Sequence, residues 1–405
     1  MSFSPLSDLK VLDLTSVVVG PVSTWRLAQY GAQVIKVESP GRDLMRGLGG
    51  QSPTGQHSGA YLHLNRGKKN ICLDLKNPEA RPVIERLIAW ADVIVANMRP
   101  QALKRLGLDA QSIQDAHPQK IYCLLTGYGT DGPYGGFPTY DSVVQGATGM
   151  AGLMQARDGR PAYVPMLVCD HVVGEIASGA IMAAVLEQKN TGRGTFLEVP
   201  MFETMAAFVL QEHLAQQSFD PPVGPAGDQR LLSPYNKPVQ TKDGFISFTI
   251  NTDPQVRAFL VATGRSELVD DPRFNSIAAR ADNVTEWFEV RGAPLRDKTS
   301  DEWIKILRAA DLAVMPCHTL ETLPEDPHLK SVGLIAYEDH PTEGRTASIR
   351  ASVRVNGDTL DRRSPAAPCG WDSGTVLEML GFDSDAAQGL IAKRAVRTSK
   401  QEEKQ

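Results

Sequence analysis

Five short apolar runs in the first 130 residues, each ending at turn residues and alternating with helical stretches, leave few folds open to this chain. LKVLDLT (9–15), AQVIKVE (32–38), NICLDLK (70–76), DVIVANM (92–98) and KIYCLLTGYG (120–129) are predicted strands. Near-continuous rather than alternating hydrophobicity marks strands buried on both faces, as in a parallel sheet. PVSTWRLAQYG (21–31), stopped by Gly31, and PEARPVIERLIAWA (78–91), opened by Pro78 and Glu79, are predicted helices between them. The second turns Leu87, Ile88 and Trp90 to its inner face. The expected fold class is α/β, a doubly wound parallel sheet with ligands at the carboxyl ends of its strands. Those ends are Thr15 to Pro21, Glu38 to Arg46, Lys76, Asn97 to Pro100 and Gly127 to Pro133.

The common ligand motifs of such sheets are missing. A nicotinamide fingerprint needs G-x-G-x-x-G after the first strand, and SVVVGP offers a single Gly; there is no P-loop. Two basic groupings do suit a polyphosphate ligand: Arg66, Lys68 and Lys69 just before one predicted strand, and Arg99, Lys104 and Arg105 just after another. A solvated surface turn is the competing reading of each. A length of 405 residues with 42% hydrophobic content suits a full core and two domains. Net charge −5 and the lack of a basic run argue against nucleic acid as a partner. Cys72, Cys123, Cys169, Cys317 and Cys369 form no CxxC pair and have no His at ligand spacing, so no metal site is expected and the compartment is read as reducing and cytoplasmic. MSFSPLSDLK lacks the apolar core of a signal peptide, and no run of about 18 apolar residues is read as a membrane span.

PMLVCDHVVGEIASGAIMAAVLEQ (165–188) sets Asp170 at the mouth of a long apolar helix. Gly174, Ala177, Ser178, Gly179, Ala180 and Ala183 follow at a spacing that lets helices pack closely. Asp at a helix start is by default an N-cap. A helix N-terminus beneath it would also hold the carboxylate ionised and aimed, the presentation needed for attack on an activated acyl group.

Six motifs sharpen the second reading. LKVLDLTSVVVGP, GAQVIKVESPGRDLMR, NRGKKNICLDLK, ADVIVANMRPQALKRLGL, LTGYGTDGPY and PTYDSVVQGATG, in this order, resemble the family III CoA-transferases. That superfamily includes formyl-CoA:oxalate CoA-transferase, the carnitine CoA-transferase and α-methylacyl-CoA racemase. The likeness runs from about residue 8 to 205 and resumes with PHLKSVGL (327–334). It implies a large Rossmann-like domain from residues 1–215 with a return at 326–405, a small α+β domain at 225–325, and two chains interlocked as rings in a homodimer. SFDPPVGPAGDQRLLSP (218–234) reads locally as a Pro/Gly linker, and KPVQTKDGFISFTI as two short strands around a turn. PTEGRTASIRASVRVNG (341–357) alternates well enough for a strand pair, and RAVRTSKQEEKQ (394–405) is expected to be disordered at its end.

By the same resemblance, Asp170 is the nucleophile that moves CoA from an acyl-CoA to a free carboxylic acid. The CoA thioester is a substrate, and no tightly bound cofactor or metal is called for. The carboxylate attacks the thioester to give an aspartyl acyl anhydride and CoA thiolate. The thiolate then attacks the aspartyl carbonyl, giving an aspartyl-CoA thioester and the donor acid, and the acceptor carboxylate reverses the sequence. Backbone N–H groups near Gly127 to Gly132 are candidate oxyanion donors. Lys76 and Arg105 match positions that hold CoA phosphates or adenosine, and Asn97 and Met98 match the pair lining the adenine site. Where the family often has Arg this chain has Ser39, with Arg42 nearby to cover the loss. Where formyl-CoA transferase has Gln it has Val18, implying a less polar acyl pocket, and that enzyme's glycine-rich loop has no counterpart near LLSPYNKPVQ.

Asp141 falls where relatives carry an acid near the nucleophile, and is expected to orient groups or to cap the helix it begins. Tyr140 either lines the acyl pocket or lies partly buried with its hydroxyl bonded. A racemase of this superfamily would have His in place of Tyr140, and a phenol is a poor base at neutral pH. His171 points about 100° away from Asp170 on the helix and reads as a core or interface residue. A non-catalytic acyl-CoA-binding protein would keep Lys76 and Arg105 without a nucleophile. The Val17, Val18, Val19 run favours a carbon-chain acid over oxalate, with small dicarboxylates such as succinate among the candidates.

Overall fold

The computed structural model describes residues 3–361 and 363–402. Its main sheet contains β1 (Lys10–Leu14), β2 (Gln33–Glu38), β3 (Lys68–Leu73), β4 (Val93–Ala96), β5 (Ile121–Thr126) and β6 (Phe196–Pro200). They lie in the order β3-β2-β1-β4-β5-β6, all parallel, and Val396–Arg397 adds an antiparallel strand outside β3. The apolar runs are buried because helices cover both faces: Leu12, Ile35, Ile71, Ile94 and Tyr122 pack with Val83, Ile84, Leu87 and Ile88 of helix Arg81–Trp90 in one core. Strand order reverses between β1 and β4, the place where a sheet of this type opens a ligand crevice. Each strand is shorter than its predicted run. The residues left over, Thr15, Lys76, Asn97, Met98 and Gly127, form the loops at the carboxyl edge.

Helix Val168–Thr191 packs against helix Val19–Gln29 through its small residues. Gly174, Ala177 and Ser178 are buried, and a Cβ on Gly174 would stand 2.6 Å from the Val19 carbonyl oxygen. Gly179 and Ala183 are exposed, so only part of the predicted stripe is a packing surface. This helix is also long and apolar enough to cross a membrane, contrary to the expectation that no such segment exists. Half of its most apolar window is buried inside the fold, where it packs on helix Val19–Gln29.

The chain divides into two compact units. The first takes the chain to Thr148, Val164–Phe208, and everything from Ser331 onward; the second takes Gly149–Tyr163 and Val209–Lys330. The boundaries thus differ from 215, 225 and 326: one falls inside helix Met201–His213, and the Pro/Gly stretch 218–234 lies within the second unit. Nothing in composition marked Gly149–Tyr163 as part of it. The second unit holds an antiparallel sheet of Val239–Gln240, Phe245–Thr249 and Ala313–Pro316 over a core that includes Phe259, Phe274, Trp287 and Trp303. In the first unit the strand pairs of the 341–357 region are Ile335–His340 with Gly344–Ile349, and Arg354–Val355 with Asp358–Thr359. In the tail Ala395 and Val396 are buried, Val396–Arg397 pairs with β3 and Ser399–Glu402 is helical; the end expected to be disordered, residues 403–405, lies outside the described residues.

Candidate active site

The loop between β1 and helix Val19–Gln29 is held from below by buried charge. Val17 has a φ of 68°, a left-handed conformation that a β-branched residue adopts only when its surroundings enforce it. Its N–H donates to Asp43 Oδ1 at 2.9 Å. Asn97 clasps Ser16, accepting its N–H at 3.0 Å and donating to its carbonyl at 2.8 Å, and Lys36 Nζ donates to the Thr15 carbonyl at 2.7 Å. Lys36 pairs with Asp43, Lys68 with Asp13 and Arg46 with Glu38, all six buried. Burial alone would raise the Asp13 carboxyl, yet Lys68, Lys36 and the Thr15 and Thr24 hydroxyls outweigh it and bring it down to about 2. The basic group Arg66, Lys68 and Lys69, of which the two lysines begin β3, is therefore mostly structural. Lys68 is buried against Asp13, and Arg66 is buried in a pair with Glu338; only Lys69 is exposed.

Asp170 is the third residue of helix Val168–Thr191 and is buried. It does not cap that helix. The cap comes from Asp141, at the start of helix Asp141–Ala147, whose Oδ1 accepts the Cys169 N–H at 2.7 Å and the Asp170 N–H at 3.2 Å. Among the described residues no hydrogen bond reaches the Asp170 carboxylate. Burial, and then the charge on Asp141, push it up from 3.8 to about 7. The helix start was expected to hold this carboxylate ionised. Desolvation and a like charge outweigh the dipole, which is worth about 1 kcal/mol in ordinary settings. Burial, Asp141 and Asp170 together push the neighbouring Cys169 thiol up to about 12, so it stays protonated. His171 is half-buried, and burial lowers it below its usual value.

Asp170 opens into a cavity of about 230 Å³ walled by Val17, Val19, Asn97, Met98, Leu125 and Tyr140, among others. Three expectations change here. Val18 is 1% exposed and packs with Val22, Met45 and Tyr61, so its neighbours Val17 and Val19 supply the apolar wall instead. Tyr140, for which both pocket lining and partial burial were open, is 64% exposed and stands on the cavity wall. Ser39 is exposed and Arg42 lies in the same turn, its N–H donating to the Ser39 carbonyl; neither lines this cavity. In the Gly127–Gly132 loop the N–H groups of Gly129 and Thr130 are taken by Glu203 and Glu198, and that of Gly132 by the Gly129 carbonyl. Gly127 and Tyr128 are the members of that loop on the cavity wall.

Lys76 and Arg105 line a second cavity, of about 680 Å³, together with Arg81. Helix Pro100–Leu106 borders both, with Pro100 on the first and Arg105 on the second. Sequence reasoning overlooked Gln145, Lys36 and Asp43. Gln145 stands four residues after Asp141 in DSVVQGATG, a spacing that puts both on one helical face. Nothing in the sequence signals that Lys36 and Asp43 meet.

The raised carboxyl has a consequence for stability. With a folded value of about 7 against 3.8 for an ordinary Asp, ionising Asp170 opposes folding. The penalty is absent below about pH 4, grows towards pH 7 and is constant above, reaching a few kcal/mol at about 1.4 kcal/mol per unit. Asp170→Asn is expected to raise the melting temperature at pH 7.5 and to change it little at pH 4.5. An equal effect at both values would contradict the assignment.

The chain matches the family model of CoA-transferase family III over residues 6–373. It is 32% identical over 385 residues to the succinate–glutarate CoA-transferase of Agrobacterium fabrum, spanning 93% of this chain and 96% of that protein. It is 28% identical over 399 residues to human succinyl-CoA:glutarate CoA-transferase, spanning 98% and 90% respectively. The crystal structure of a hypothetical protein from Mycobacterium tuberculosis superposes with a TM-score of 0.79 at 28% identity, over 93% of this chain and all of that one. With a family match across nearly its whole length, the chain belongs to CoA-transferase family III and is an acyl-CoA:carboxylate CoA-transferase.

Proposed function

We propose that the reaction passes through an aspartyl-CoA thioester on Asp170. One observation carries this: a buried carboxylate without a hydrogen-bonding partner faces the cavity, while Asp141 holds the helix turn that bears it. Asp170 is the one carboxylate on the described cavity wall, and the adjacent thiol is held protonated. A racemase would need a second base there, and no histidine is among the described wall residues. CoA would lie along helix Pro100–Leu106, its phosphates or adenosine near Lys76 and Arg105 and its thioester beside Asp170; Asn97 and Met98 then flank the pantetheine end rather than adenine.

The acid exchanged is proposed to be a short dicarboxylate. Val17, Val19, Leu125 and Met201 suit a carbon chain, and the exposed Arg99, the one cation on the described wall, suits a distal carboxylate. Succinate and glutarate, named in two relatives, have this form.

Asp170→Asn and Asp170→Glu are expected to lose turnover at least a hundredfold while still binding CoA, since a displacement of about 1 Å already disrupts attack geometry. For the wild type, kcat/KM should fall as pH drops below about 7, as Asp170 protonates. Full activity in Asp170→Asn would remove the mechanism. Lys76→Ala and Arg105→Ala should raise KM for acyl-CoA several-fold with kcat little changed, because contacts far from the carbonyl bind ground and transition states alike. Unaltered KM would put CoA elsewhere. The proposed interlocked homodimer should persist at nanomolar concentration; a native monomer in sedimentation would exclude it.

A further inference from the structure

Gln145 is 1% exposed, and both ends of its amide are used. Its Nε2 donates to Asp141 Oδ2 at 2.6 Å, to the Met166 carbonyl at 3.1 Å and to the Val164 carbonyl at 3.3 Å, while its Oε1 accepts the Val164 N–H at 2.9 Å. One side chain thus ties together the acid that caps the long helix and the segment leading into it. We propose that Gln145 is the positioning residue of this enzyme: by locking Asp141 and Val164–Met166 to each other, it sets where the first helical turn, and Asp170 on it, points into the cavity. The proposal rests on Asp170 as nucleophile.

The geometry leaves Asp141 little freedom. Its Oδ1 is engaged by two backbone N–H groups and its Oδ2 by Gln145. Without the amide, Oδ2 would lose its donor and Val164 both of its partners from Gln145, so the carboxylate could rotate away from the helix start. Among the described residues the Asp170 carboxylate has no hydrogen bond of its own to restore its aim. The titratable and charged groups near it among the described residues are Asp141 at the start of the short helix, Cys169 and His171 on its own helix, and Tyr128, Tyr140 and Arg99 on the cavity wall, with Glu175 and Arg26 acting on His171. Arg26 is engaged by Glu175 at 2.6 Å, which leaves Asp141 as the charge acting on Asp170.

The test uses the full-length enzyme with Gln145→Met, which keeps the volume and removes every hydrogen bond, and Gln145→Glu, which keeps the shape. Amide hydrogen exchange at Cys169 and Asp170 should quicken at least tenfold in Gln145→Met. With succinyl-CoA and glutarate, kcat should fall tenfold or more and KM for acyl-CoA should stay within about twofold. Gln145→Glu should keep the wild-type fall at low pH, where Asp170 protonates. It should also lose activity at high pH, where the new carboxyl ionises against Asp141, so the rising wild-type profile becomes a bell. Unchanged exchange overturns the proposal, as does equal loss of kcat and of acyl-CoA affinity, or a Gln145→Glu profile that follows the wild type. Retained turnover in Asp170→Asn would instead overturn the nucleophile assignment, whatever Gln145 does.

Discussion

A carboxylate on one helix caps the start of another, and the site depends on that arrangement. Asp141 takes the orphan N–H groups of Cys169 and Asp170, which the helix's own N-cap residue, Leu167, cannot satisfy. Asp170 is thereby relieved of the capping role that an Asp in a first helical turn would often fill. Its oxygens stay unbonded, desolvated and close to a like charge, which makes the residue costly to the fold and available to a substrate.

The opposite wall shows the same division between supporting and exposed groups. Buried ion pairs stabilise a fold little once desolvation is counted, yet breaking one leaves an uncompensated charge. Lys36 with Asp43 and Lys68 with Asp13 lie beneath the loop that follows β1, and their further hydrogen bonds go to the Thr15 carbonyl and the Val17 N–H. Asn97 holds Ser16 in place between them. The strained Val17 backbone sits where the cavity needs an apolar side chain, and this polar framework holds it there.

Much of this was legible from local pattern. Continuous apolar runs identify the parallel strands, and the β1 to β4 reversal accounts for a site near Ser16, Asn97 and Gly127. Asp170, Asp141 and Tyr140 were visible through motifs in fixed order. What escaped depends on contacts between residues distant in sequence. Arg66 and Lys68 look like phosphate ligands until their partners Glu338 and Asp13 are seen. Val18 looks like a pocket residue because a run of three valines does not reveal which one turns inward. The raised proton affinity of Asp170 needs its burial and its distance from Asp141, neither of which a helix-start pattern contains.

The account stands or falls on whether Asp170 becomes acylated. The most direct measurement is to incubate the wild-type enzyme with acyl-CoA, quench with hydroxylamine and map the modified peptide by mass spectrometry. Hydroxylamine displaces CoA from an aspartyl thioester and leaves a hydroxamate. The account predicts that hydroxamate on Asp170, dependent on acyl-CoA. A turning-over enzyme that carries the label on another residue, or none at all, would contradict it.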